Sequence, residues 1–245
     1  MSRKPKDPVA EASQDLGPAV RLIHADVSDP AGENLLCDLD FSIETGSVHF
    51  LTGPQGAGKT ALLNLIGGTG RPSRGSLQVL GADLCRLPER QKPALRQRIG
   101  RIFQDLRLLD HLSAFDNAAL APRLSGRSVA NYRAEVAELL TWVGLGQRMG
   151  VAAGALSDLD RRRLAVARAV AGRPALILAD EPAGKLQPAG QVAILRLLAN
   201  LGQAGMTMLI ATRDETTAAR SGAATLHIKG KALIRYAAAA REVAP

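Results

Sequence analysis

Residues 48–60 read Val48-His49-Phe50-Leu51-Thr52-Gly53-Pro54-Gln55-Gly56-Ala57-Gly58-Lys59-Thr60, and this stretch decides the fold. A β-rich run, Val48 to Thr52, enters a glycine-rich turn that opens into the helical pattern Ala61 to Ile66. Strand, glycine-rich turn, lysine, hydroxyl and helix in register specify a phosphate-binding loop. The glycines let backbone N–H groups converge on phosphate oxygens without a Cβ in the way, and the helix points its positive end at the same place. The contact set is Gly53, Pro54, Gln55, Gly56, Ala57, Gly58, Lys59, Thr60 and Ala61. Lys59 supplies a mobile cation for the β- and γ-phosphates, and the Thr60 hydroxyl is a ligand for Mg²⁺. The alternative is a chance glycine-rich turn.

A second stretch supports the first. Ala175-Leu176-Ile177-Leu178-Ala179 has the length and apolarity of a buried parallel strand, and it ends in Asp180-Glu181. Ligands of open α/β sheets gather beyond the carboxyl ends of the strands. Asp180 there holds Mg²⁺ through water, and Glu181 polarises the attacking water. Taken alone, two carboxylates at a strand end are equally well read as helix-capping residues.

Outward from these stretches, β-rich runs at Leu22–Val27, Leu77–Leu80 and Met206–Ala211 join helical patterns at Arg133–Val143, Arg162–Val170 and Gly190–Leu201. The later alternation predicts a mostly parallel sheet covered by helices. The early strands lack intervening helices and predict an antiparallel sheet. Ala224–Ile228 and Ala232–Tyr236, around Lys229-Gly230, read as a hairpin. The fold expected is α/β, a P-loop NTPase (RecA-like) core with an N-terminal antiparallel β subdomain and a helical subdomain over about 105–172. Residues 1–19 read as a disordered arm, 20–236 as the nucleotide-binding domain and 237–245 as a tail.

Composition bounds the function. The net charge of +8 leaves nucleic acid or an anionic surface open, but aromatic residues at 3% are poor for base stacking. No nucleic-acid partner is expected, and Arg161, Arg162 and Arg163 read as a solvated helix face. Cys37 and Cys85 read as small buried thiols of a reducing cytoplasm. No apolar run approaches the roughly 18 residues that cross a bilayer, so no direct membrane insertion is expected.

These residues resemble the ABC ATPase family from about Arg21 to Ile228. Gln104, in Arg101-Ile102-Phe103-Gln104-Asp105, resembles the family's glutamine loop, which touches Mg²⁺ and communicates with a transmembrane partner. Leu178-Ala179-Asp180-Glu181-Pro182 resembles its Walker B segment, and Leu156-Ser157 holds the place of its signature motif. Ile102 to Leu109 and Phe115 to Leu120 resemble the FtsE family of cell-division ATPases; lipoprotein-release and macrolide-export ATPases look similar there. The resemblance implies ATP and Mg²⁺ as cofactors, and a homodimer on ATP binding with Ser157 reaching the opposite nucleotide. It also implies an integral membrane partner similar to FtsX, and residence on the cytoplasmic face of the bacterial inner membrane through that partner.

Four positions depart from the family pattern. Asp158-Leu159-Asp160 follows Leu156-Ser157 where two glycines are usual, so a carboxylate meets an incoming phosphate while Ser157 and Asp160 retain a capping box. Arg213 replaces the switch histidine; it keeps a cation for the γ-phosphate but cannot shuttle a proton. Gln187 stands where an aspartate bridges the dimer. Val27-Ser28-Asp29-Pro30-Ala31 offers no ring to stack on adenine. Glu181, Gln104 and Arg213 are the catalytic candidates, and Thr60, Gln104 and Asp180 the metal candidates. Slow hydrolysis is the leading expectation; the alternatives are a non-hydrolysing regulatory subunit and a lipid- or lipoprotein-export ATPase.

Overall fold

The computed structural model describes residues 17–29 and 31–236, so the expected arm and tail lie largely or wholly outside the described residues. The chain begins with β1 (Val20–Ser28), β2 (Asn34–Ile43), β3 (Val48–Thr52), α1 (Lys59–Ile66), β4 (Arg74–Val79) and β5 (Ala82–Asp83). It continues through α2 (Lys92–Gln97), β6 (Ile99–Ile102), α3 (Ala114–Leu124), α4 (Val129–Trp142) and α5 (Asp158–Val170). The last third holds β7 (Leu176–Asp180), α6 (Pro188–Gln203), β8 (Met208–Ala211), α7 (Glu215–Ser221), β9 (Ala224–Lys229) and β10 (Ala232–Tyr236).

Two sheets result. One is antiparallel, in the order β2-β1-β4-β5; the other runs β10-β9-β3-β8-β7-β6, parallel except for the β9–β10 hairpin. The expected α/β architecture is therefore present, with β3 at the interior of the parallel sheet rather than among the antiparallel strands around it. Every residue of β7 is buried, and its alternation splits two cores. Leu176 and Leu178 face the layer that contains α1 and the antiparallel sheet, while Ile177 and Ala179 face α3 to α6. Asp180 continues the Leu176–Leu178 face and so emerges on the side of α1.

Sequence patterning does not reveal β6 or α3. In β6 the apolar run is broken by Gly100 and Arg101; Gly100 is required because a Cβ there would lie 2.4 Å from the Ala169 carbonyl oxygen of α5. Helix α3 is alanine-rich with Pro122 inside it, and its start is fixed by Ser113, whose Oγ accepts the Asp116 N–H at 3.0 Å. Cys37 and Cys85 are free and half-buried, not buried as expected.

Candidate nucleotide site

The loop between β3 and α1 is built on left-handed backbone. Gly53 has φ 142° and a Cβ there would meet the Ile228 carbonyl oxygen at 3.0 Å; Gly58, at φ 95°, is pressed against Leu36 of β2. Only glycine takes these conformations without strain, so the turn places the start of α1 directly after the sheet. Lys59 is buried, and its Nζ donates to the carbonyls of Gly53 at 2.6 Å and Pro54 at 2.8 Å. Burial lowers the Lys59 ammonium from its ordinary value and the Arg213 charge adds to this, while Glu181 and Asp180 oppose it.

β7 brings its carboxylates to this loop. The Thr60 hydroxyl donates to Asp180 Oδ2 at 2.7 Å, joining two segments 120 residues apart in sequence. Glu181 follows with φ 46°, unusual for a side chain with a Cβ. Its N–H donates to the Ala211 carbonyl at 2.9 Å, at the end of β8. Its Oε1 accepts from Arg213 Nε at 3.1 Å, and Arg213 Nη1 donates to Gln55 Oε1 at 3.2 Å. Arg213 is thus placed on the carboxylate of Glu181, a contact that sequence reasoning did not anticipate.

Arg161 to Arg163 are not a solvated face. Arg162 is buried, and its Nη1 donates to the backbone carbonyls of Glu181 at 3.3 Å and Pro182 at 3.0 Å. Arg161 pairs with Asp110 at 2.8 Å and Arg163 with Asp160 at 3.1 Å. Three consecutive arginines on a helix span more than half of its circumference, so at least one must turn inward. The buried acceptors around α5, two of them backbone carbonyls, decide which.

The remaining candidates lie around this centre. Gln104 is exposed in the turn after β6, two residues past the Ile102–Ala179 rung, and makes no side-chain hydrogen bond to the described residues. Ser157 caps α5: its Oγ accepts the Asp160 N–H at 3.2 Å and donates to Asp160 Oδ2 at 2.9 Å. Asp158 is exposed at that helix start, and Gln187 is exposed as the residue capping α6. Beside the turn of Gln104, a groove of about 520 Å³ opens between β6 and α3, lined by Arg96, Arg101, Phe103, Arg107 and Arg168. The guanidiniums of Arg101 and Arg107 lie 4.7 and 4.2 Å from the Phe103 ring centre.

The residues present fit a nucleoside triphosphate with a hard cation. Lys59 has three donors and two described acceptors, leaving one for a phosphate. Thr60 and Asp180 offer adjacent oxygens, the ligand type Mg²⁺ prefers.

The ABC transporter family model matches residues 36–184. Among similar proteins, the cell division ATP-binding protein FtsE of Escherichia coli K12 is 40% identical over 195 residues, 80% of this chain and 88% of that protein. FtsE of Mycobacterium tuberculosis is 37% identical over 179 residues, 73% of this chain and 78% of that one. The methionine import ATP-binding protein MetN of Bradyrhizobium diazoefficiens is 38% identical over 75% of this chain, which spans 53% of its length. A solved dimeric ATP-binding cassette in a post-hydrolysis state with ADP and Pi superposes with TM-score 0.81 at 26% identity, covering 90% of this chain and 99% of that one. With the phosphate loop, the strand-end carboxylates and these matches in agreement, the chain belongs to the ABC transporter family of ATP-binding proteins.

Proposed function

We propose that this chain is the ATP-binding subunit of a cell-division complex of the FtsE–FtsX type, coupling ATP binding and slow hydrolysis to an integral membrane partner. The observation that carries the ATPase half is the 2.7 Å bond from Thr60 to Asp180, which joins hydroxyl and carboxylate at the sheet's carboxyl edge, next to the loop whose Gly53 and Pro54 carbonyls hold the Lys59 ammonium. Thr60 and Asp180 would hold Mg²⁺, which supplies charge neutralisation on the phosphates when bound. Lys59 and the loop amides bind the phosphate chain, Gln104 senses the cation, and Glu181 orients water. The cell-division half rests on the two FtsE relatives and their coverage. The groove beside Gln104 is the surface offered to the partner.

Turnover is slow because Asp158 and Leu159 occupy the helix start that must approach a second copy's nucleotide through Ser157. The purified chain should bind a fluorescent ATP analogue, lose that binding in Lys59→Ala, and hydrolyse ATP slowly. The double variant Asp158→Gly, Leu159→Gly should raise turnover and ATP-dependent dimerisation together, with Glu181→Gln removing turnover but not binding. Brisk wild-type turnover, or no gain in the double variant, would remove Asp158 as the obstruction. Binding with no turnover in any variant would favour a nucleotide-binding switch, the reading to which the Arg213–Glu181 pair lends weight.

A further inference from the structure

Glu181 is held at both ends, and the two holds differ in kind. Its backbone is fixed from the interior: the N–H bonds Ala211, the carbonyl accepts from Gly184 N–H at 3.0 Å and, with Pro182, from buried Arg162. Those bonds maintain the left-handed turn at φ 46° and keep the side chain aimed at the phosphate loop. Its carboxylate is fixed from the surface. Arg213 is 46% exposed there, and its own second anchor is the side chain of Gln55, a residue of the phosphate loop itself. The carboxylate that must accept a hydrogen bond from water is thus occupied by a guanidinium. The device also sits on the element that nucleotide must fill.

We infer that Arg213 and Gln55 form a latch that keeps Glu181 engaged until phosphates enter the loop, a second brake on hydrolysis that adds to the obstruction at Asp158. The inference rests on the ATPase reading above. A phosphate chain carries several negative charges and offers Arg213 a stronger, bidentate partner than one carboxylate oxygen. Moving Arg213 to it releases Glu181 without moving the backbone that aims it. Gln55 contributes only a neutral acceptor, so its removal loosens Arg213 and leaves the loop's backbone amides in place. Gln55 is a positioning residue here, acting through Arg213, which holds Glu181 until the phosphates take it.

The test uses the full chain and separates binding from turnover. Gln55→Ala and Arg213→Gln should each raise kcat by about three- to fivefold, and Arg213→Gln should also weaken binding of a fluorescent ATP analogue, because it removes the partner the phosphates gain. Their double variant should gain no more than Arg213→Gln alone, because one latch is being opened. Arg213→Lys, which keeps the charge but not the fork to Gln55, should fall between. Independently of hydrolysis, the ¹⁵Nε signal of Arg213 should shift when a non-hydrolysable ATP analogue binds the wild type. A kcat that falls in Arg213→Gln, strictly multiplied gains in the double variant, or an unmoved Arg213 signal with analogue bound overturns the latch while leaving the ATPase reading intact. A chain that binds no nucleotide overturns both.

Discussion

His49 lies on β3 with 4% of its surface exposed; Nδ1 meets Ser47 Oγ at 3.3 Å, and Nε2 is buried without a partner among the described residues. Burial depresses its basicity and the Arg235 charge adds to this, against a smaller opposing effect of Glu44. Below about pH 6.5 the unfolded chain therefore takes up a proton at this site that the folded chain does not, so stability falls as pH falls through that range. Asp26, Asp116 and Asp214, held below the ordinary carboxylate range by hydrogen bonds, lose their contributions only at more acid pH. The melting temperature should decline as pH falls below about 6.5, and His49→Gln should flatten that decline. An unchanged slope in the variant would assign the acid loss elsewhere.

At the scale of elements, α5 does two jobs from one sequence. Its outer start carries Ser157 and Asp158; its inner face carries Arg162 to the backbone of Glu181 and buries Leu164, Ala165, Val166 and Ala167. The helix start is secured by Ser157 Oγ accepting the Asp160 N–H, while Asp160 is paired in turn by Arg148 and Arg163. Ser157→Ala should cost about 1 kcal/mol of stability by removing an N-cap acceptor, a shift readable in urea unfolding with an unchanged slope. Since α5 ties the helical layer to the strand end that bears Glu181, the variant should also change ATP-dependent dimerisation, which a cap acting on stability alone would leave untouched.

At the scale of the molecule, one sheet with a core on each face fixes the site at its carboxyl edge, and the arginine-lined groove opens beside it. No helix among the described residues is long and apolar enough to cross a membrane; the proposed reading puts membrane residence on the partner. The purified chain should therefore stay with the soluble fraction when mixed with anionic liposomes at physiological salt, and float with vesicles that carry an FtsX-like partner. Flotation without the partner would point to the +8 net charge as a direct electrostatic anchor.

The sequence by itself determined the local chemistry: strand, turn, Lys59, Thr60 and helix are consecutive, so their geometry follows from glycine conformations and hydrogen bonding within a few residues. It likewise determined β7, an unbroken buried run ending in carboxylates, and the cap at Ser157, which needs only residues three apart. Tertiary structure alone decided what long-range contacts decide. That Thr60 meets Asp180 comes from the order of β3, β8 and β7 in the sheet. That Arg162 turns inward comes from the backbone carbonyls waiting there, since arginine on a helix face reads the same whether it meets water or a buried acceptor. That Arg213 grips Glu181 and Gln55 comes from three loops converging at the sheet's edge, and no spacing in a linear chain encodes a meeting across 158 residues.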